Sequence, residues 1–182
     1  MHADIDEISI RRGTVADARM LAAFAAHTFA DAFGADNDPQ DLHDHLSAAF
    51  GERQQGAELR DPDVVTLIAE RGDTPLGFAQ VRRNPPPEGI VATDSVELQR
   101  FYVERSAHGS GLAQRLMAAA WASARELGAR RIWLGVWERN PRAIAFYRKA
   151  GFVDVGFKHF DVGSDRQTDR VLVADLGLST VP

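Results

Sequence analysis

The chain reads as one α/β domain, a sheet covered by helices on both faces. Three features say so. Short β-type runs interleave with amphipathic helical runs along all 182 residues. One run, Arg131 to Trp137, is apolar on both sides: Ile132, Leu134 and Val136 alternate with Trp133, Gly135 and Trp137, as in the middle of a covered sheet. The composition is ordinary for a globular chain, 45% hydrophobic and 26% charged. It holds no apolar stretch of about 18 residues, which excludes a transmembrane helix. A chain of this length buries about two thirds of its unfolded surface, enough for a single domain over residues 1–182.

Ile8 to Arg11 alternates and forms a first short strand, broken at Gly13. Thr14, with Asp17 three residues on, is a capping pattern for a helix to about Phe33, with Leu21, Phe24, Ala25, Thr28, Phe29 and Ala32 at helical spacing. A loop through Asn37, Asp38 and Pro39 starts a second helix through Leu42, Leu46 and Phe50, and the polar piece 52–59 suits a third. Val64 to Glu70 and Leu76 to Arg82 are strands joined by a Gly- and Pro-containing hairpin turn. The segment Asn84-Pro-Pro-Pro-Glu-Gly89 is too proline-rich for regular structure and is expected to be a mobile loop.

Glu97 to Val103 is a strand, followed by a turn and the long helix Leu112 to Leu127, whose apolar face is Leu112, Leu116, Ala120, Ala124 and Leu127. After the strand Arg131 to Trp137 comes a helix from Asn140 to Ala150, with Asn140 as its cap and Pro141 as its first residue. Strands around Phe152–Phe160 and Arg170–Leu176 close the chain, and residues 177–182 are expected to fray.

Several function classes are disfavoured. The absence of cysteine removes disulfides, thiol catalysis and thiolate metal sites, and suits a reducing cytoplasm, the expected location. The first seven residues, M-H-A-D-I-D-E, are acidic with no apolar run, so no secretory leader is expected. A net charge of −5 argues against a nucleic-acid partner and favours a neutral or cationic small substrate. His43 and His45 are two apart, so a helix points them to different sides, and no metal signature stands out.

The informative stretch is His108-Gly109-Ser110-Gly111-Leu112-Ala113, between a strand and a helix. Glycines let the backbone pass close to a ligand, and the first N–H groups of a helix are unpaired at its positive end, so a pyrophosphate fits there. A dinucleotide fingerprint would need a third glycine where Gln114 stands. A second block, N-P-R-A-I-A-F-Y-R-K-A-G-F from Asn140 to Phe152, puts Asn140 and Tyr147 on one helix face.

Together the two blocks resemble the GCN5-related N-acetyltransferase family. Phe29 to Asn37, Ile132 to Val153 and Gly156 to Asp169 are further similar to the bacterial spermine/spermidine N-acetyltransferases of the PaiA type. Where that group has a His, this chain has Lys158, which would repel a polycation.

The resemblance implies a mixed, mostly antiparallel sheet of six or seven strands, with the parallel strands Glu97–Val103 and Arg131–Trp137 splayed where acetyl-CoA enters. It implies direct acetyl transfer to the amine of a small molecule, with no membrane partner and a homodimer left open. Phe101, Tyr102 and Val103, His108 to Ala113, Asn140 and Tyr147 would hold the cosubstrate, with the bulged strand near Phe101–Val103 donating an N–H to the acetyl oxygen. Tyr147 would be the acid for the leaving thiolate. Glu97 is the candidate base, because an alkyl amine is mostly protonated at neutral pH. Trp137 and Glu138, with Asp31, Asp36 and Asn37, are candidates for the acceptor site. An amino acid, an antibiotic or a protein amine as acceptor, or a non-catalytic acyl-CoA sensor, are the alternatives.

Overall fold

The computed structural model describes residues 8–36, 38–162 and 165–177. The strands are β1 (Ile8–Arg12), β2 (Val64–Arg71), β3 (Thr74–Arg82), β4 (Ser95–Val103), β5 (Arg131–Trp137), β6 (Val153–Val162) and β7 (Asp165–Asp175). The helices are α1 (Ala18–Phe33), α2 (Pro39–Phe50), α3 (Glu52–Arg60), α4 (Leu112–Glu126) and α5 (Pro141–Lys149). The strands form one sheet in the order β1-β2-β3-β4-β5-β7-β6. Only β4 and β5 run parallel, and every other neighbouring pair is antiparallel. The mixed, mostly antiparallel sheet of six or seven strands that the resemblance implies is therefore present, with seven. Of the expected frayed end, 177–182, residues 178–182 lie outside the described residues.

Local chemistry sets the boundaries. Thr14 and Asp17 form a reciprocal capping box, and a single 3-10 turn leads from it into α1. The Asp38 carboxylate accepts the N–H of Gln40 at 2.8 Å and Pro39 follows, so α2 starts there. Strand β7 begins at Asp165, five residues before the apolar run that marks it in the sequence. Its polar first half, D-R-Q-T-D, is held by the β6 hairpin rather than by burial on both faces.

Two cores flank the sheet. Leu112, Leu116 and Ala120 of α4, with Tyr147 of α5, pack on Val81, Leu98, Ile132, Leu134 and Leu172. Leu21, Phe24 and Phe29 of α1, with Phe50 of α2, pack on Ile68 and Phe78 on the other side. A bulge in β4 decides which residue faces which core. Leu98 pairs with Val81 but Arg100 with Gln80, so Gln99 is the extra residue. The alternation shifts there, sending Phe101 and Val103 to the α4 face and Arg100 and Tyr102 to the α1 face. The bulge thus falls at Gln99, just before the Phe101–Val103 segment where the family resemblance implies it.

Candidate active site

The parallel ladder between β4 and β5 lasts three pairs, Ser95–Arg131, Val96–Ile132 and Glu97–Trp133, and then stops. Both strands continue, to Val103 and Trp137, without each other. The opening between them is a cavity of about 620 Å³ that runs through the sheet and joins its two faces.

Backbone geometry makes one wall. Glu104 N–H donates to Leu76 O at 2.8 Å, so by antiparallel alternation Tyr102 and Arg100 also bond to β3. Phe101 and Val103 then turn their N–H and C=O groups into the opening. The Val103 carbonyl accepts from His108 Nε2 at 2.9 Å. The Tyr102 amide is used in the ladder. Its ring stacks on Phe78 at 5.5 Å and its phenol is pushed well above the usual tyrosine range by burial. Tyr102 thus contributes a side chain to the α1 side of the cavity, not a backbone donor.

The start of α4 is the candidate anion site. Gly109 and Gly111 have φ of 78° and 85°, the left-handed region that glycine enters without strain. Ser110 N–H bonds to Ala107 O, and Leu112 N–H to Ser110 Oγ at 3.3 Å, so these two amides are internally engaged. The N–H groups of Gly109, Gly111, Ala113 and Gln114 donate to no protein acceptor among the described residues. Four open donors at a helix N-terminus fit a pyrophosphate. Arg105 and Arg142, which sequence reasoning missed, line the same cavity with His108 and add positive charge.

Asn140 caps α5, its Oδ1 accepting the Ala143 N–H at 3.1 Å, and it also lines the cavity. Two turns on, Tyr147 is wedged among Phe101, Phe146 and Phe152, with centroid distances of 6.2, 5.5 and 5.7 Å. Its hydroxyl makes no hydrogen bond among the described residues. Burial pushes its pKa well above the usual value, so the phenol stays protonated.

The α1 side carries the charge. Glu97 is 7% exposed, and both its oxygens are engaged. Oε2 accepts from Asn84 Nδ2 at 2.8 Å, and Oε1 lies 4.0 Å from Lys158 Nζ. Trp133 Nε1 donates to Asn84 O at 2.9 Å, so the proline-rich loop is pinned to the cavity at its first residue. The Lys158 ammonium also stands 5.3 Å from the Trp133 ring centroid. Asp169 is 7% exposed, and burial pushes its carboxyl up to about 6 although Lys158 pulls the other way.

Of the proposed acceptor residues, Trp137 and Asp31 line the cavity. Glu138 is exposed on the turn after β5 and is not among the lining residues. The Asp36 side chain and Asn37 lie outside the described residues. At the rim His27, Asp31 and Glu104 gather within 4.8 Å of one another, with the imidazole 3.5 and 3.6 Å from the two carboxylates. Sequence spacing gave no hint of this cluster, because 77 residues separate Glu104 from His27 in the chain (104 − 27 = 77).

Residues 26–152 match the model of the acetyltransferase (GNAT) family. An uncharacterized N-acetyltransferase of Mycobacterium tuberculosis is 34% identical over 160 residues, 88% of this chain and 98% of that protein. The spermine/spermidine N(1)-acetyltransferase of Bacillus subtilis is 28% identical over 102 residues, 56% of this chain and 63% of that protein. The PaiA N-acetyltransferase from Thermoplasma acidophilum, solved in complex with coenzyme A, superimposes with a TM-score of 0.73 at 19% identity, over 92% of this chain and 98% of that one. At that identity the likeness speaks to the fold alone.

Proposed function

The chain belongs to the acetyltransferase (GNAT) family, and from that premise we propose that it transfers the acetyl group of acetyl-CoA directly to the primary amine of a small molecule, with spermidine or spermine as the first acceptors to test. The observation that carries this is the opening through the sheet: unbonded helix-start amides border one side and buried carboxylates the other.

Acetyl-CoA, when bound, supplies an acetyl group activated as a thioester. The Gly109, Gly111, Ala113 and Gln114 amides, with Arg105 and Arg142, hold its pyrophosphate. The Phe101 or Val103 N–H, facing the opening, stabilises charge on the acetyl oxygen, a role worth about 3 kcal/mol. Tyr147, which burial keeps protonated, gives a proton to the departing sulfur. Trp137 and the carboxylates Asp31, Glu97 and Asp169 draw an ammonium to the other end.

One observation favours a second reading. Lys158 places a fixed cation in the cavity, where it can hold the carboxylate of an amino-acid acceptor and opposes a second ammonium.

The test is thiol release from acetyl-CoA with spermidine, spermine, free amino acids, an aminoglycoside and a lysine peptide. Turnover confined to the polyamines supports the first reading, and turnover confined to amino acids supports the second. Tight acetyl-CoA binding with no turnover on any amine makes the chain a sensor and overturns both.

A further inference from the structure

We propose that Asp169 is the general base of the reaction, the carboxylate that takes the proton from the acceptor ammonium. The inference rests on the acetyltransferase reading, and three observations carry it.

The first is position. Asp169 pairs across strands with Trp137 on β5 and with Lys158 on β6. Its Oδ2 lies 3.0 Å from the point where a Cβ on Gly135 would stand, and Lys158 Nζ lies 3.1 Å from the same point. The missing side chain at Gly135 therefore leaves a carboxylate and an ammonium bordering one spot on the cavity wall.

The second is want of a partner. Asp169 is 93% buried (100 − 7 = 93), yet its carboxylate accepts no hydrogen bond among the described residues. An ionised carboxyl so placed is costly unless a cationic donor meets it, and an acceptor ammonium is such a donor.

The third is that the rival is occupied. Glu97 already holds the Asn84 amide and faces Lys158. A carboxylate whose oxygens already meet the Asn84 amide and face the Lys158 ammonium has fewer lone pairs free for an incoming ammonium. Glu97 is then a positioning residue that keeps Lys158 and Asn84 in place.

The charged and titratable groups around Asp169 are Lys158 from β6 and Glu97 and Tyr102 from β4. From β5 its neighbours are the uncharged Gly135 and Trp137, and Asp31 of α1 lines the same cavity. Burial outweighs the pull of Lys158 and brings Asp169 close to the working pH, where a base is most effective.

The step balances. A proton passes from R–NH₃⁺ to the Asp169 carboxylate. The freed lone pair forms the C–N bond to the acetyl carbon, and the C–S bond breaks. The departing thiolate takes a proton from Tyr147. The second amine proton replaces it on Tyr147, and Asp169 returns its own proton to water.

The experiment compares wild type, Asp169→Asn, Glu97→Gln and Lys158→Met. It uses spermidine, or the amine turned over fastest in the panel, across pH 5 to 9, with acetyl-CoA affinity measured separately. Asp169→Asn is expected to lower kcat/KM about 10²- to 10⁴-fold and to flatten its rise through pH 6, with acetyl-CoA affinity unchanged. Glu97→Gln keeps that rise. Lys158→Met moves it to higher pH, because the cation holding the Asp169 pKa down is gone.

Stability gives a readout that a purely structural carboxylate would not. A pKa raised by burial makes the ionised form destabilising, so the contribution of Asp169 to stability is lost as pH rises from about 4 through 6. Asp169→Asn should therefore melt at or above wild type at pH 8, whereas a structural acceptor would melt lower.

An acceptor-free measurement keeps the inference testable if no amine reacts. The ¹³C carboxyl resonance lost in Asp169→Asn should titrate near 6. Titration near the ordinary value of about 4 overturns the assignment. So does an Asp169→Asn enzyme within threefold of wild type, or loss of the pH limb in Glu97→Gln.

Discussion

Tyr147 shows how packing prepares a single group for chemistry. Three aromatic rings fix its plane, and its oxygen is left facing the cavity with nothing to bond among the described residues. The same burial that raises its pKa keeps the proton on the phenol over the whole working range. Tyr147→Phe removes one oxygen and keeps all three ring contacts. We expect kcat to fall about 100-fold or more, with the melting temperature within a few degrees and acetyl-CoA affinity unaltered. Stopped assays of thiol release, beside a thermal melt, measure both. An unchanged kcat would leave Tyr147 as packing only.

At the scale of elements, the bulge at Gln99 is what divides the site's two halves. It lets β4 show Phe101 and Val103 to α4 while Arg100 points to α2 and α3. The Arg100 guanidinium bonds the Glu58 carboxylate and the Gln80 amide, donates to Ala49 O at 3.0 Å, and lies 4.9 Å from the Phe50 ring centroid. Gln80 bonds Glu58 in turn at 3.1 Å. This fully engaged network clamps the helices beside the acceptor end onto the sheet. Arg100→Met would bury Glu58 without its cation and is expected to cost about 3–5 kcal/mol in urea unfolding. Pairing it with Glu58→Gln should recover part of that loss, and a double variant no better than the single would mean Glu58 is not the group left stranded. Little of this was legible beforehand. Strands with apolar alternation, such as Arg131–Trp137, declare themselves because burial selects their residues. A bulge depends on the partner strand's register, which a lone strand does not carry. Asp169 hid for a related reason: D-R-Q-T-D is too polar to read as strand, and it becomes one by pairing with β6. His108 to Ala113 and Asn140 to Tyr147 were readable because a helix start and a helix face are local.

For the whole molecule, the opening between β4 and β5 separates two approaches to one point. The helix-start amides, Asn140 and Tyr147 belong to the side covered by α4 and α5. Glu97, Asp169, Lys158 and Asp31 belong to the side covered by α1 and α2, since Glu97 alternates with the α4-facing Val96 and Leu98, and Asp169 pairs with Trp137 next to the α4-facing Val136. On the proposed reading the two substrates arrive from opposite faces and do not exclude each other, and the chain has no cysteine to carry the acetyl group between them. The transfer should therefore pass through a complex holding both substrates. Double-reciprocal plots against amine at several fixed acetyl-CoA concentrations should intersect. Desulfo-CoA, which fills only the helix-start side, should compete with acetyl-CoA and raise the KM for it while lowering the apparent kcat for the amine. Parallel lines, or an acetylated protein isolated in the absence of amine and able to pass its acetyl group on, would mean that the two faces act in turn, with a side chain of this protein as the intermediate carrier.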